Sequence, residues 1–208
     1  MPQTSHHTIV LDWLNEYICK SHSQLGRSGS ICPHVRPALK AGQLDFVYQH
    51  GISGEDAGQL SEVLTQELRK FSELHPDPAG YRVSLASALI VFPDIDPGHY
   101  HVLDQIYPAM KNYAVKNGLM VGQFHPDCNE PAFRNPIFPV SRSPIPLVAV
   151  RHMGIHDILF LGNTGEWYHE YRQRFGRFCM EGRLKDPLMI KMYETAENKY
   201  QEDVRRYR

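Results

Sequence analysis

A short stretch between two predicted strands contains the side chains of this sequence that are best suited to chemistry. His125 directly follows a predicted strand in the tetrapeptide Phe-His-Pro-Asp, and Asp127 stands two positions later. A histidine at a strand end, held by the following proline, is well placed to face a cleft. Asp127 could then orient the imidazole by a hydrogen bond, so that the pair transfers a proton in catalysis. The alternative is a loop histidine that only closes the end of the strand.

A second candidate is the thiol of Cys32, which lies in the sequence Ser-Ile-Cys-Pro-His. Pro33 has no backbone N–H, and a cysteine in such a segment can be an axial thiolate ligand of haem iron. His34 completes the motif and is assigned with Cys32 to cofactor binding. The residue types alone favour a simpler interpretation, in which Cys32 is a small buried hydrophobic side chain beside a turn proline.

Two arginines flank the next predicted strand and could bind carboxylates. Arg142 lies in Ser-Arg-Ser-Pro-Ile-Pro before the strand, and Arg151 stands near its end, beside His152. Guanidinium groups bind carboxylates in a bidentate manner, so their partners could be haem propionates or an amino-acid substrate. His125 and His152 are the alternative iron ligands if Cys32 is not one. The alternative for Arg142 is a surface arginine with an apolar stem.

A second kind of site needs no porphyrin. His125, Asp127 and His152 could form the set of two histidines and one carboxylate that binds iron(II). Whether they meet depends on the direction of the strand 146–152 relative to the strand 119–124. If the two strands are parallel, both histidines lie at one end of the sheet. If they are antiparallel, His125 lies near Arg142–Pro146 and His152 lies at the other end.

Apolar periodicity places these side chains on an α+β or α/β framework. Helical spacing predicts helices over 6–20 and 57–71, one that ends at Asn117-Gly118, and two C-terminal helices over 164–181 and 186–204,. Apolar runs predict strands over 44–49, 84–93, 119–124 and 146–152. We expect a single domain, 1–208, with about four strands packed by helices. Its core region, 10–161, carries the motifs, and 162–208 is a helical extension. The proline-rich residues 126–139 are expected to roof a pocket.

Composition narrows the function classes. The chain has 208 residues, 42% hydrophobic content and a formal net charge of −1, which gives no reason to expect a nucleic acid or a membrane as partner. The four cysteines form no C-x-x-C pair, so we expect free thiols in a reducing cytoplasm. The first ten residues lack the pattern of a secretory signal. An apolar face on the C-terminal helices could form a homodimer, although such a face is more often core.

The order of the motifs resembles a group of bacterial domains of unknown function over roughly residues 10–161. The shared landmarks are Cys-Pro, Gly-Gln-Phe-His-Pro and Arg-Ser-Pro-x-Pro, which stand here at Cys32-Pro33, Gly122–Pro126 and Arg142–Pro146. The layout is also distantly similar to the YqcI/YcgG family, some of whose members are haem-dependent oxygenases of the arginine guanidino nitrogen. That resemblance implies that Cys32 lies in the cysteine motif and Ser141-Arg142 in the arginine-serine motif. The Phe-His-Pro-Asp segment around His125 has no counterpart in that family.

Together these observations predict a haem-dependent oxygenase that acts on a small, nitrogen-containing, amino-acid-like substrate. In that prediction Cys32, or His125 or His152, binds the iron of haem b, while His125, Asp127 and Arg142 are catalytic. His34, Arg142, Arg151 and His152 complete the cofactor site, and a separate protein could donate electrons. The alternatives are a non-haem iron enzyme with His/Asp ligands and a non-catalytic protein that binds haem or a small molecule.

Overall fold

Four strands form a mixed sheet whose order differs from their order in the chain. The computed structural model describes residues 5–77 and 84–206. The strands are β1 (Leu44–Tyr48), β2 (Ser87–Val91), β3 (Leu119–Phe124) and β6 (Leu147–His152), and they lie in the order β1-β2-β6-β3. β1 and β2 are parallel, whereas β2 and β6 are antiparallel with Leu89 opposite Ala149. All five residues of β2 are buried, as its continuous apolar sequence predicts.

The direction of β3 beside β6 follows from the hydrogen bonds at the two ends of the pair. Met153 N, just after β6, donates to Gly118 O, just before β3, over 2.8 Å. Ser143 N, before β6, donates to His125 O, after β3, over 3.3 Å. The two strands are therefore antiparallel. This answers the question that the sequence left open: His125 lies beside the segment that leads into β6, and His152 is the last residue of β6.

The helices agree closely with the apolar periodicity. α1 (His6–Trp13) continues into a π-helical turn at Leu14–Ile18. α3 (Ala57–Leu74) is capped by Asp56, whose Oδ1 accepts hydrogen bonds from Gly58 N and Gln59 N,. The remaining helices of the described residues are α2 (Val35–Lys40), α4 (Val102–Lys116), α5 (Ile158–Leu161), α6 (Gly165–Met180) and α7 (Pro187–Arg206). The two short ones, α2 and α5, were not predicted. The α+β class, the four-stranded sheet and the two C-terminal helices are confirmed.

The proline-rich stretch after β3 contains a hairpin that the sequence did not predict. β4 (Pro131–Ala132) pairs with β5 (Asn135–Pro139), and Val140 N donates to Glu130 O over 3.0 Å. Prolines obscure the strand pattern because they cannot donate to a ladder. The hairpin packs against the loop that follows α1: Leu25 contacts it through the small apolar cluster that includes Phe138.

The chain divides into two compact units. The first consists of the described residues within Met1–Pro76, Leu85–Lys111 and Val121–Arg151; the second consists of those within Asp77–Ser84, Asn112–Met120 and His152–Arg208. In the first unit, residues of α1 and its π-helical turn pack against β2 and β6. In the second unit, α5, α6 and α7 surround buried aromatic side chains: Tyr168, Tyr171, Phe175 and Tyr193. The apolar faces of the C-terminal helices are thus largely core. The division at 161/162 stays a prediction.

Within the described residues, no helix has both the length and the apolar character that crossing a bilayer requires.

Candidate metal centre

His125 is a buried histidine with one partnered and one unpartnered ring nitrogen. Its side chain lies just after β3 and is almost fully buried, with only 1% of the residue exposed. Nε2 lies 3.1 Å from Asp104 Oδ2, whereas Nδ1 is buried without a hydrogen-bond partner. A buried polar atom without a partner is costly, and in a native protein it often marks a ligand position. The nitrogen of a neutral imidazole is a common metal ligand.

Cys128 is brought next to His125 by a tight turn. Pro126 and Asp127 occupy the middle of the turn, and Cys128 N donates to His125 O over 3.1 Å. The cysteine is fully buried. Burial raises the pKa of the Cys128 thiol to about 11; the backbone N–H of Glu130 lowers the pKa, and the negative charge of Asp104 raises it further. Without a cation, the thiol is therefore neutral at physiological pH.

Asp104, in the first turn of α4, places its carboxylate close to His125 and Cys128. Its Oδ1 accepts a hydrogen bond of 3.4 Å from the buried amide of Gln123. Pro108 lies inside α4, and since proline has no N–H, the carbonyl of Asp104 cannot receive the usual helical hydrogen bond from it. One ligand atom each from Asp104, His125 and Cys128 lies within 4.8 Å of the other two. We call these three residues the ligand cluster.

A helix face of ionisable residues runs alongside the ligand cluster. Asp104, Tyr107 and Lys111 are three and four positions apart, so they share one face of α4. Lys111 is only 4% exposed. Burial raises the pKa of Glu130, Asp104 raises it further and Lys111 lowers it. The carboxyl of Glu130 thus lies within electrostatic reach of both ends of this face. Burial also raises the pKa of Tyr107, whose hydroxyl donates to Val121 O over 3.3 Å.

Arg142 holds the turn that carries Cys128. Its Nε donates to Cys128 O and its Nη2 donates to Asn129 Oδ1, both over 3.3 Å. Its own carbonyl accepts a hydrogen bond of 2.9 Å from Trp13 Nε1. This arginine therefore acts on the ligand cluster through the backbone of a ligand rather than by direct contact with it. Outer residues that orient ligands in this way affect metal affinity strongly.

The structure places the other predicted site residues apart from the ligand cluster. Asp127 is exposed, and the carboxylate that pairs with His125 is Asp104, so the predicted hydrogen bond from Asp127 to the imidazole is not formed. Arg142 precedes β6, whereas Arg151 lies four steps beyond Leu147, the first residue of that strand, which is roughly 13 Å for strand geometry. His152 belongs to the second unit, where its Nδ1 lies 3.8 Å from Asp77 Oδ1.

Cys32 and His34 precede α2 and are not part of the ligand cluster. Cys32 is half-buried and packs against the apolar cluster of α1, β2 and β6. Its backbone N–H donates to Ile18 O over 3.1 Å. This environment matches the simpler interpretation of Cys32 as a small apolar side chain better than it matches an axial ligand.

Sequence reasoning identified one of the three clustered residues. The signal that indicates Cys128 is the His-x-x-Cys spacing of residues 125–128, because a tight turn brings positions i and i+3 together; no role was predicted for this cysteine. Asp104 gave no such signal. It lies 21 positions before His125, and its approach depends on how α4 packs beside β3.

Comparison with known proteins gives a family but no relative with an assigned activity. A family model described as “Domain of unknown function (DUF6875)” matches residues 7–185. No curated protein and no solved structure matches the chain. The match confirms the expected resemblance to a domain family of unknown function, and its span includes all three residues of the ligand cluster. The distant likeness to the YqcI/YcgG family stays a prediction.

Proposed function

The chain belongs to the family of domains of unknown function DUF6875, and we propose that it is a metalloenzyme whose ion is bound by Asp104, His125 and Cys128. The observation that carries this proposal is the approach of three ligand atoms of different chemistry to within 4.8 Å of one another. The buried, unpartnered Nδ1 of His125 supports it. So does the neutral thiol of Cys128, because a cation would compensate the cost of ionising it.

The set of donors favours zinc. Thiolate and imidazole do not suit magnesium or calcium, which prefer oxygen ligands. Zinc accepts cysteine sulfur, histidine nitrogen and aspartate oxygen, and its catalytic sites have three protein ligands with a fourth position for water or substrate. With both acidic ligands ionised, a divalent ion makes the site neutral, which suits the burial of His125 and Cys128 on one side of it, while Asp104 is exposed,. In such a site the ion acts as a Lewis acid.

This proposal develops the non-haem alternative of the sequence analysis. His125 keeps its predicted role, while Asp104 and Cys128 take the places that Asp127 and His152 were expected to fill. Iron(II) therefore remains the second candidate ion. The haem-dependent oxygenase, its electron donor and a homodimer stay predictions. A cytoplasmic location is part of the proposal, supported by four free cysteines in the structure.

The charges beside the ligand cluster suggest the class of substrate. Lys111 provides a nearly buried positive charge on the helix face that also carries Asp104. We propose that the substrate is a small molecule with a carboxylate, such as an amino acid, which the positive charge of Lys111 attracts toward the site while another group of the molecule reaches the metal. We propose Glu130 as the residue on the solvent side of the site, where it could exchange a proton with a bound substrate.

Metal analysis of the purified full-length chain tests the proposal. We expect about one zinc per chain in the wild type, and loss of most of it in Asp104→Asn, His125→Ala and Cys128→Ser. Asp127→Asn is the matched control, because Asp127 lies in the same turn but outside the ligand cluster. Cobalt(II) added to the metal-free protein should give a thiolate charge-transfer absorption that Cys128→Ser lacks.

Three results would contradict the proposal. One is a metal-free protein that does not bind zinc, iron or cobalt after dialysis with each. Another is metal content that the three cluster substitutions leave unchanged. The third is a Soret absorbance that survives all three substitutions, which would instead support the haem prediction.

A further inference from the structure

Two cysteines face each other at the neck of the loop that follows α1. Ser21 and Ser30 form an antiparallel bridge, and Ile31 N donates to Lys20 O over 2.9 Å. In an antiparallel pair, each step outward on one side is matched by one step on the other. Cys19 and Cys32 lie two positions outside the bridged serines, where this regular pairing ends because Cys19 has a helical backbone and closes the π-helical turn.

The hydrogen bond that closes the neck brings Cys32 close to Cys19. Cys32 N donates to Ile18 O over 3.1 Å, which ties the backbone of Cys32 to the peptide group between Ile18 and Cys19. A disulfide needs a Cα separation of roughly 4.4–6.8 Å. The hydrogen bond from Cys32 to the peptide group next to Cys19 holds the two backbones close together, as such a bond requires.

The two cysteines differ in exposure, as the oxidised cysteine and the resolving cysteine of a redox pair do. Cys19 is buried, with 5% exposed, whereas Cys32 is half-buried and more accessible. Burial raises the pKa of Cys19, the guanidinium of Arg36 lowers it, and the thiol of Cys32 raises it. The last effect requires the two sulfur groups to be close, since it decreases with distance. Arg36 also donates to Cys19 O over 2.6 Å, which fixes the backbone at this position.

We propose that Cys19 and Cys32 form a reversible disulfide when the protein meets a peroxide. The thiolate of Cys32 attacks the peroxide, the O–O bond breaks, and Cys32 becomes a sulfenic acid. The Cys19 thiolate then attacks that sulfur and displaces the oxygen, which leaves as water after protonation. In total, two thiols and one hydrogen peroxide give one disulfide and two water molecules. The sulfurs lose two electrons, and the peroxide gains them.

The bond would fix a loop that supports the hairpin after Cys128. Asn135 Nδ2 donates to Gln24 O over 2.7 Å, and Leu25 packs with Ala132 and Phe138. The loop and the hairpin are therefore coupled, and a disulfide at the neck of the loop restricts the motion of both. The disulfide rests on the hydrogen bonds that close the neck and does not depend on whether the ligand cluster binds a metal.

Peptide mapping tests this inference on the full-length chain. The protein is reduced, freed of reductant, treated with hydrogen peroxide, blocked with N-ethylmaleimide and digested with trypsin without reduction. Trypsin cleaves after Lys20 and Arg27, within the loop, so a disulfide at the neck would join two separate peptides, 1–20 and 28–40. We expect this linked pair in the wild type and its disappearance after dithiothreitol.

Matched variants locate the bond. Cys19→Ser and Cys32→Ser should each abolish the linked pair, while Cys128→Ser and Cys179→Ser should retain it. Cys32→Ser is the milder substitution because the Cys32 side chain is only half-buried. This variant keeps the test decisive if Cys19→Ser does not fold. Oxidation of Cys32 to sulfinic acid without a linked pair would overturn the inference. So would a disulfide that involves Cys128 or Cys179, or two free thiols after a treatment that fully oxidises glutathione.

Discussion

His125 Nε2 lies 3.1 Å from Asp104 Oδ2, although 21 positions separate the two residues in the chain. The contact joins the first turn of α4 to the end of β3. It gives the imidazole a fixed orientation, with Nδ1 as the nitrogen that remains for a metal. In the proposed site the Asp104 carboxylate is a ligand beside this ring, and the metal content of Asp104→Asn tests that role.

We expect metal affinity to rise with pH. The pKa of Cys128 is raised to about 11, chiefly by burial, so below that pH the thiol must lose a proton before it binds a metal. Each increase of one pH unit should therefore strengthen apparent zinc affinity roughly tenfold, up to the pKa. Titration calorimetry in buffers with different ionisation enthalpies should show about one proton released per ion. A Cys128→Ser variant that keeps the full pH dependence would contradict this assignment.

Arg142→Gln should weaken zinc binding roughly 10–100-fold without removing a ligand, because it loosens the turn that carries Cys128. The measurement is competition with a zinc-binding dye. Arg134→Gln is the control, since Arg134 is an exposed arginine of the nearby hairpin. Equal affinities in the wild type and Arg142→Gln would show that the turn holds its shape without the guanidinium.

Glu197 should stabilise the second unit at neutral pH and lose this effect in acid. Burial alone would raise its pKa, but hydrogen bonds from Arg172, Tyr168 and Gln201 lower it to about 2. A lowered pKa in the folded state stabilises the fold above the ordinary carboxyl pKa, and the contribution is lost as the pH falls toward 2. We expect Glu197→Gln to cost on the order of 1–3 kcal/mol at pH 7.

Urea unfolding of the wild type and Glu197→Gln at pH 7 and pH 3 measures this contribution. The difference between the two proteins should be smaller at pH 3. Glu194→Gln, an exposed position on the same helix, should show little difference at either pH. A Glu197→Gln difference that does not change between pH 7 and pH 3 would refute the role of its ionisation.

Gly118→Ala should destabilise the protein by about 1–2 kcal/mol, because Gly118 has a left-handed backbone that disfavours a side chain. Its φ is +72°, and an added Cβ would lie 2.8 Å from Arg174 Nε. Gly165→Ala is the matched control: a Cβ there meets no atom within 4 Å. The check is the midpoint of chemical denaturation. A Gly118→Ala midpoint equal to that of Gly165→Ala would contradict the expectation.

Most of the framework could be predicted because each element has a local signal. The continuous apolar run of β2 and the Asp56 cap of α3 are signals of this kind. The β4–β5 hairpin could not be predicted, since Pro131, Pro136 and Pro139 interrupt the alternation that marks a strand. The candidate site was predicted only in part, at His125. Asp104 was missed because its role depends on the packing of α4 beside the sheet, which no local pattern encodes.

The position of β6 has a consequence for how the chain is made. β6 is the last strand to leave the ribosome, yet it lies between β2 and β3. Until residue 152 has been synthesised, β2 and β3 therefore each present an unpaired edge, and an exposed edge invites pairing with other chains. A nascent chain that stalls before β6 would lack its sheet centre while already carrying His125 and Cys128. We therefore expect chaperone binding to such stalled chains to fall once β6 has been released.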